Sequence, residues 1–163
     1  MTDLVALLRA QPLFARFEDA ELARLAPLFT ATEVDVGTVL VWEGRPHESL
    51  FLIARGRAVV TKAIRGETEA VLAHLDAPGH FGELDLIDAQ CAAASVTAET
   101  PCLVLAMGQE RLRALLAEDS DLFGRLAWEL MRDLTAKIRR TNERLQEVIL
   151  WGLDATRSET GEG

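Results

Sequence analysis

The chain has 163 residues, 49% of them hydrophobic, and its 17 Lys and Arg against 26 Asp and Glu leave a formal net charge of −9, the size and mix of one compact soluble domain. A charge of that sign excludes non-specific adhesion to nucleic acid or to an anionic membrane surface outside a local basic patch. No apolar run approaches the roughly 20 residues of a membrane span, and the start, MTDLVALLRAQPLF, lacks the pattern of a secretory signal, so a cytoplasmic protein is expected.

In chain order, Leu4, Val5, Leu8 and then Leu22, Leu25, Ala26 fall at helical spacing with Gln11-Pro12 between them, which predicts two short helices within residues 1–30, the second capped by Asp19. From residue 31 to 107 the pattern turns to short β-rich runs: 38–42, 50–53, 58–61, 70–73, 95–98 and 102–105. Gly37, Gly44, Gly56, Gly66 and Gly79 stand between or just before them, where turns need positive φ or close backbone approach. Short strands at this spacing predict a small antiparallel barrel or jelly roll.

Helical spacing returns over 109–152, first as a short helix at 110–117. Asp119-Ser120-Asp121 then offers caps for a long helix running to about Leu150. Within it Ala127, Met131, Leu134, Ile138, Thr141, Leu145 and Val148 alternate four and three apart, a coiled-coil seam of about three heptads. Leu126 and Leu130 widen the apolar face near its start, as suits a helix that meets its own barrel first and another helix later. Residues 153–163 are expected to be a disordered tail.

The residues give no support to an enzyme. His47, His74 and His80 stand in no metal-ligand spacing, and GxSxG, GxxxxGK[ST] and GxGxxG are all missing, so neither catalytic residues nor a metal are expected. His47 and His80 read as polar turn residues and His74 as a solvent-facing or satisfied strand residue. Cys91 and Cys102 form neither a disulfide framework nor a CxxC knuckle and read as small apolar residues.

One stretch inside the β region is of another kind: PGHFGELDLIDAQCAAASVTA, residues 78–98. A Pro-Gly turn leads to Phe81-Gly82-Glu83-Leu84, one helical turn, a loop, and a strand beginning Ala94-Ser95-Val96. Free backbone N–H groups at such a turn attract an anion, and a glutamate there can accept hydrogen bonds from a sugar hydroxyl.

Two short helices, a glycine-punctuated barrel, Leu50-Phe51-Leu52-Ile53 followed by Arg55-Gly56, the FGEL segment and a long last helix together resemble the cyclic nucleotide-binding domain, shared by catabolite-activator-type regulators, kinase regulatory subunits and gated channels. The resemblance covers about Leu8 to Leu150 and implies a mainly β double-stranded β-helix (jelly-roll) barrel over residues 1–152, with a phosphate-binding cassette at 78–96 and a C-terminal dimerisation helix. It implies cAMP or cGMP as ligand, with Phe81, Gly82, Glu83, Leu84, Asp85, Ala92, Ala93 and Ser95 at the binding positions, Glu83 taking the ribose hydroxyl.

The chain departs from the family pattern at three places. The cassette arginine that pairs with the phosphate is replaced by Ala92, Asp85 brings a carboxylate to a position that is usually small and uncharged, and Lys137 and Ile138 stand where related regulators carry hydroxyl side chains, Thr141 being the nearest hydroxyl. Arg45, Arg55, Arg57 and Arg65 are candidates for a displaced arginine, Arg55 and Arg57 reading more simply as surface residues. The basic cluster Lys137, Arg139, Arg140, Arg144 reads as a solvated flank of the coiled coil, and about a dozen residues past Leu150 leave no room for a recognition helix, so DNA binding by this chain alone is not expected. The leading expectation is a homodimeric regulatory module with weak or altered cAMP binding, acting on an effector protein. A working cAMP or cGMP sensor and a purely structural dimerisation module with a vestigial pocket are the alternatives.

Overall fold

The computed structural model describes residues 3–64, 68–88 and 90–159, and the chain divides into two units, 1–124 and 125–163. The predicted turn residue Gly66 and the candidate Arg65 lie outside the described residues.

In the first unit, α1 (Leu4–Arg9) is capped by the Asp3 carboxylate, and α2 (Asp19–Leu25) follows a 3-10 turn at Pro12–Phe14. The cap of α2 is Glu18 rather than Asp19: the Glu21 carboxylate accepts from the Glu18 N–H at 2.8 Å, and Asp19 in the first turn pairs with Arg9. Leu8, Phe14, Leu22 and Leu25 are fully buried, each such side chain contributing about 1.5–3 kcal/mol relative to exposure.

The barrel consists of β1 (Thr30–Val34), β2 (Val39–Val41), β3 (Ser49–Arg55), β4 (Arg57–Ala63), β5 (Glu69–Asp76), β6 (Gly79–Phe81), β7 (Ser95–Ala98) and β8 (Cys102–Gly108), with α3 (Glu83–Asp88) between β6 and β7. They form two antiparallel four-stranded sheets, ordered β1-β8-β3-β6 and β2-β7-β4-β5, the jelly roll expected from the sequence. Buried Leu50, Leu52 and Ile53 of β3 pair in register with Met107, Leu105 and Val104 of β8. Gly56 turns β3 into β4 at φ 90°, where a β-carbon would lie 2.4 Å from the Pro101 carbonyl oxygen, so only glycine fits.

Two strands escaped the sequence reading. In β1 the pattern Thr-Ala-Thr-Glu-Val carries little apolar signal and is strand because it pairs with β8. β6 is three residues long and places His80, read as a turn residue, opposite Leu52 in a sheet. His74 in β5 meets the Glu99 carboxylate at 3.0 Å. Cys102 is buried as expected, but Cys91 is exposed, at an isolated bridge to Pro46 outside the named strands.

After α4 (Gln109–Glu118), Asp119 accepts from the Leu122 N–H at 3.1 Å and opens α5 (Ser120–Glu159). The helix passes Leu150 and continues to Glu159, so residues 153–159, read as tail, carry helical backbone; 160–163 lie outside the described residues. In the second unit Leu126 and Leu130 are buried, Ala127 and Leu134 half-buried, and Met131, Ile138, Thr141, Leu145 and Val148 exposed. The Thr141 hydroxyl donates to the Lys137 carbonyl at 2.9 Å, satisfied within its own helix. Among the described residues no helix is long and apolar enough to cross a membrane.

Candidate functional site

The segment that joins β6 to β7 walls a cavity of about 280 Å³ in the first unit. Val41 of β2, Val60 of β4 and Val96 of β7 line it with Phe81, Gly82, Glu83, Leu84, Asp85 and Ala92–Ala94. Beneath it Val41, Ile53, Ala58, Phe81, Ala92 and Val96 form one buried cluster, so the floor is apolar and fixed by strand register.

Gly82 makes the turn into α3 at φ 82°, and a β-carbon there would lie 2.3 Å from the Ser49 carbonyl oxygen. No L side chain meets both conditions. Behind the turn three rings stack: His47 on Phe51 at 5.3 Å between centroids, and Phe51 on Phe81 at 5.0 Å. His47 also bonds the Ser49 carbonyl through Nε2 at 2.9 Å. The other end of α3 is held by Gln109, whose amide donates to the Leu86 carbonyl at 3.1 Å. His47 was read only as a polar turn residue and Gln109 was not marked as part of the site; Phe51, four residues after His47, was read only as part of a strand.

Glu83 is buried and Asp85 half-buried, both on α3 and both lining the cavity. Burial pushes the Asp85 carboxyl above the usual carboxylate range, the charge of His47 pulls it back, and that of Glu83 adds to the rise.

At the far end of the segment the Ala92 N–H donates to the Arg45 carbonyl at 2.9 Å and the Ala92 carbonyl accepts from the Gly44 N–H at 2.8 Å. Ser95, expected to face a ligand, is turned to the frame: its hydroxyl accepts from the Glu43 N–H at 3.0 Å, and the lining passes from Ala94 to Val96. Thus seven of the eight sequence-marked positions, Phe81 to Asp85 and Ala92 and Ala93, meet around one cavity, and Ser95 supports it from outside.

The three displaced-arginine candidates among the described residues are engaged elsewhere. Arg45 lies over the Trp42 ring, Arg55 pairs with Glu33 at 3.0 Å, and Arg57 pairs with Asp76 at 2.6 Å. Instead a lysine the sequence did not single out reaches the cassette: Lys62 Nζ donates to the Ala93 carbonyl at 2.5 Å and to the Glu43 carboxylate at 3.2 Å. The other Glu43 oxygen accepts from the Ala63 N–H at 2.8 Å, and that bond, helped by Lys62, holds the Glu43 carboxyl below its ordinary range. Among the described residues no cluster of three or more His, Cys, Asp or Glu is placed to hold a metal.

The sequence model of the cyclic nucleotide-binding domain matches residues 31–119. The cAMP-dependent protein kinase regulatory subunit of Aspergillus niger is 28% identical over 124 residues, 76% of this chain and 29% of that protein. The CRP-like cAMP-activated global transcriptional regulator of Mycobacterium tuberculosis is 25% identical over 137 residues, 84% of this chain and 59% of the regulator. The chain therefore spans less than a third of the kinase subunit and a little over half of the regulator. Among solved structures, a cyclic nucleotide-binding domain from Methylobacillus flagellatus superposes with a TM-score of 0.78 at 26% identity, covering 88% of this chain and 81% of that one. The Thermus thermophilus catabolite activator protein gives 0.74 at 25% identity, covering 85% and 63%.

Proposed function

This chain belongs to the cyclic nucleotide-binding domain family, and on that premise we propose that it is a cytoplasmic, homodimeric regulatory module whose pocket holds ordinary cyclic nucleotides weakly. The observation that carries this reading is the cavity lining: two carboxylates, Glu83 and Asp85, and, among the described residues, no cationic side chain. A cyclic phosphate entering there meets Ala92 where the family pattern has its arginine. Losing one member of a desolvated charge pair costs about 2–5 kcal/mol, roughly thirty-fold to several-thousand-fold in affinity. Asp85 adds repulsion of the same sign.

Calorimetric titration of the full chain with cAMP and with cGMP tests the reading. A dissociation constant weaker than about 1 μM, or no measurable heat, is expected; tighter binding overturns it. The relatives' names, a kinase regulatory subunit and a transcriptional regulator, support a role exerted on an effector protein. Dimerisation is supported by the exposed apolar run Met131, Ile138, Leu145 and Val148 on α5. Replacing Leu134 and Ile138 together by Asp is expected to give monomers in light scattering, and a dimeric double variant would refute the seam.

A further inference from the structure

We propose that Lys62 is the cation that meets a phosphate-bearing ligand in this pocket, and that Glu43 restrains it. The proposal rests on the reading of the 280 Å³ cavity as the ligand site. Successive residues of a strand point to opposite faces and alternate residues to the same face. On β4, Ala58 is buried in the cluster under the cavity and Val60 lines it. Their partners on β7, Ala98 and Val96, are buried in the same register. Lys62 is the next residue on that face, and its ammonium reaches the carbonyl of Ala93, a lining residue adjacent to Ala92.

The ammonium is bound there and yet not committed to the interior. Lys62 remains about half exposed, with one bond to the cassette and one to Glu43. Glu43 itself is fixed at both ends: its N–H donates to Ser95 and its second carboxylate oxygen accepts from Ala63. A fixed anion beside a flexible cation neutralises the cation and sets where it points. An anionic ligand must therefore compete with Glu43 for Lys62, and this chain replaces the family's cassette arginine with a lysine on a neighbouring strand, partnered in advance.

Glu43→Gln tests this with little change of shape, since the amide oxygen still accepts from Ala63 while the charge is lost. Its cAMP affinity should rise at least ten-fold over wild type, 1.4 kcal/mol, while adenosine, which has no phosphate, should bind as in wild type. Adding Lys62→Met to Glu43→Gln should remove the gain. Should Glu43→Gln fail to fold, Glu43→Asp, which withdraws the carboxylate by one methylene, should give a smaller gain of the same kind. A folded Glu43→Gln with unchanged cAMP affinity, an equal gain for adenosine, or a gain that survives Lys62→Met overturns the proposal. The weak-binding reading is decided by the wild-type constant and this proposal by the ratio of variant to wild type; where the wild type gives no heat, measurable cAMP binding by Glu43→Gln that Lys62→Met removes counts as the gain, and a folded Glu43→Gln that also gives none overturns the proposal.

Discussion

The two ends of the segment between β6 and β7 are held by different physics. At the start, Gly82 is fixed by sterics: positive φ, the Ser49 carbonyl where a β-carbon would go, and a stack of His47, Phe51 and Phe81 behind. At the end, Ala92 is fixed by its own backbone, through bonds to Arg45 and Gly44 that do not depend on which side chain it carries. The fold therefore enforces the turn at Gly82, whereas at residue 92 the backbone bonds make no demand on the side chain, a small buried alanine in the cavity wall, and it is there that the proposed loss of a phosphate-reading charge falls. Fold and ligand chemistry are separable within one short segment.

The strongest way to break this contrast is at Gly82. Gly82→Val forces an L residue into the left-handed region, about 1–2 kcal/mol, and drives its β-carbon into backbone, about 1–3 kcal/mol more. Urea denaturation should show a loss of about 3 kcal/mol, against less than about 0.5 kcal/mol for Ala93→Val on the exposed end of the same segment. Equal losses would mean that the two ends are not held differently.

Ala92→Arg comes next and acts on binding rather than stability. If the backbone alone positions residue 92, a restored guanidinium should raise cAMP affinity by about thirty-fold or more, read by calorimetry on a variant whose thermal melt is close to wild type. A folded variant with wild-type affinity would overturn the proposal that Ala92 is what makes binding weak.

How much of this was legible in the sequence follows from the same physics. Strands with β-branched or apolar runs, such as β3, β4 and β8, announced themselves, and the FGEL turn was visible because only glycine answers its geometry. β1 and β6 were not, since Thr30–Val34 and Gly79–Phe81 become strands by pairing with β8 and β3 rather than by local preference. At the site, seven of the marked residues meet at the cavity because they are contiguous in the chain or joined by one loop. Lys62 and Glu43 were missed because Lys62 reaches Ala93 from β4, 31 positions earlier in the chain, and Glu43 meets Lys62 from the turn after β2, and no local pattern encodes such a meeting. The alternation Ala58, Val60, Lys62 was the one available signal, and it speaks only once the face of β4 is known.

The smallest expected effect lies at Asp85, between the two ends. Its carboxyl is pushed above the usual range first by burial and then by the charge of Glu83, with His47 opposing. A raised folded-state value means that stability is fully present below the unfolded carboxyl range and is lost as pH rises through the folded value. Asp85→Asn has no such loss, so the gap in unfolding midpoint between variant and wild type should widen with pH across that window and then level off. Removing one unit charge several ångströms from a bound phosphate should also raise cAMP affinity at neutral pH by about three- to five-fold, under ~1 kcal/mol for a half-buried carboxylate that water still screens. At a pH low enough to protonate Asp85 the two proteins should bind alike. A gain that persists there would assign the effect to shape rather than charge, and would leave the proposed weak binding to rest on Ala92 alone.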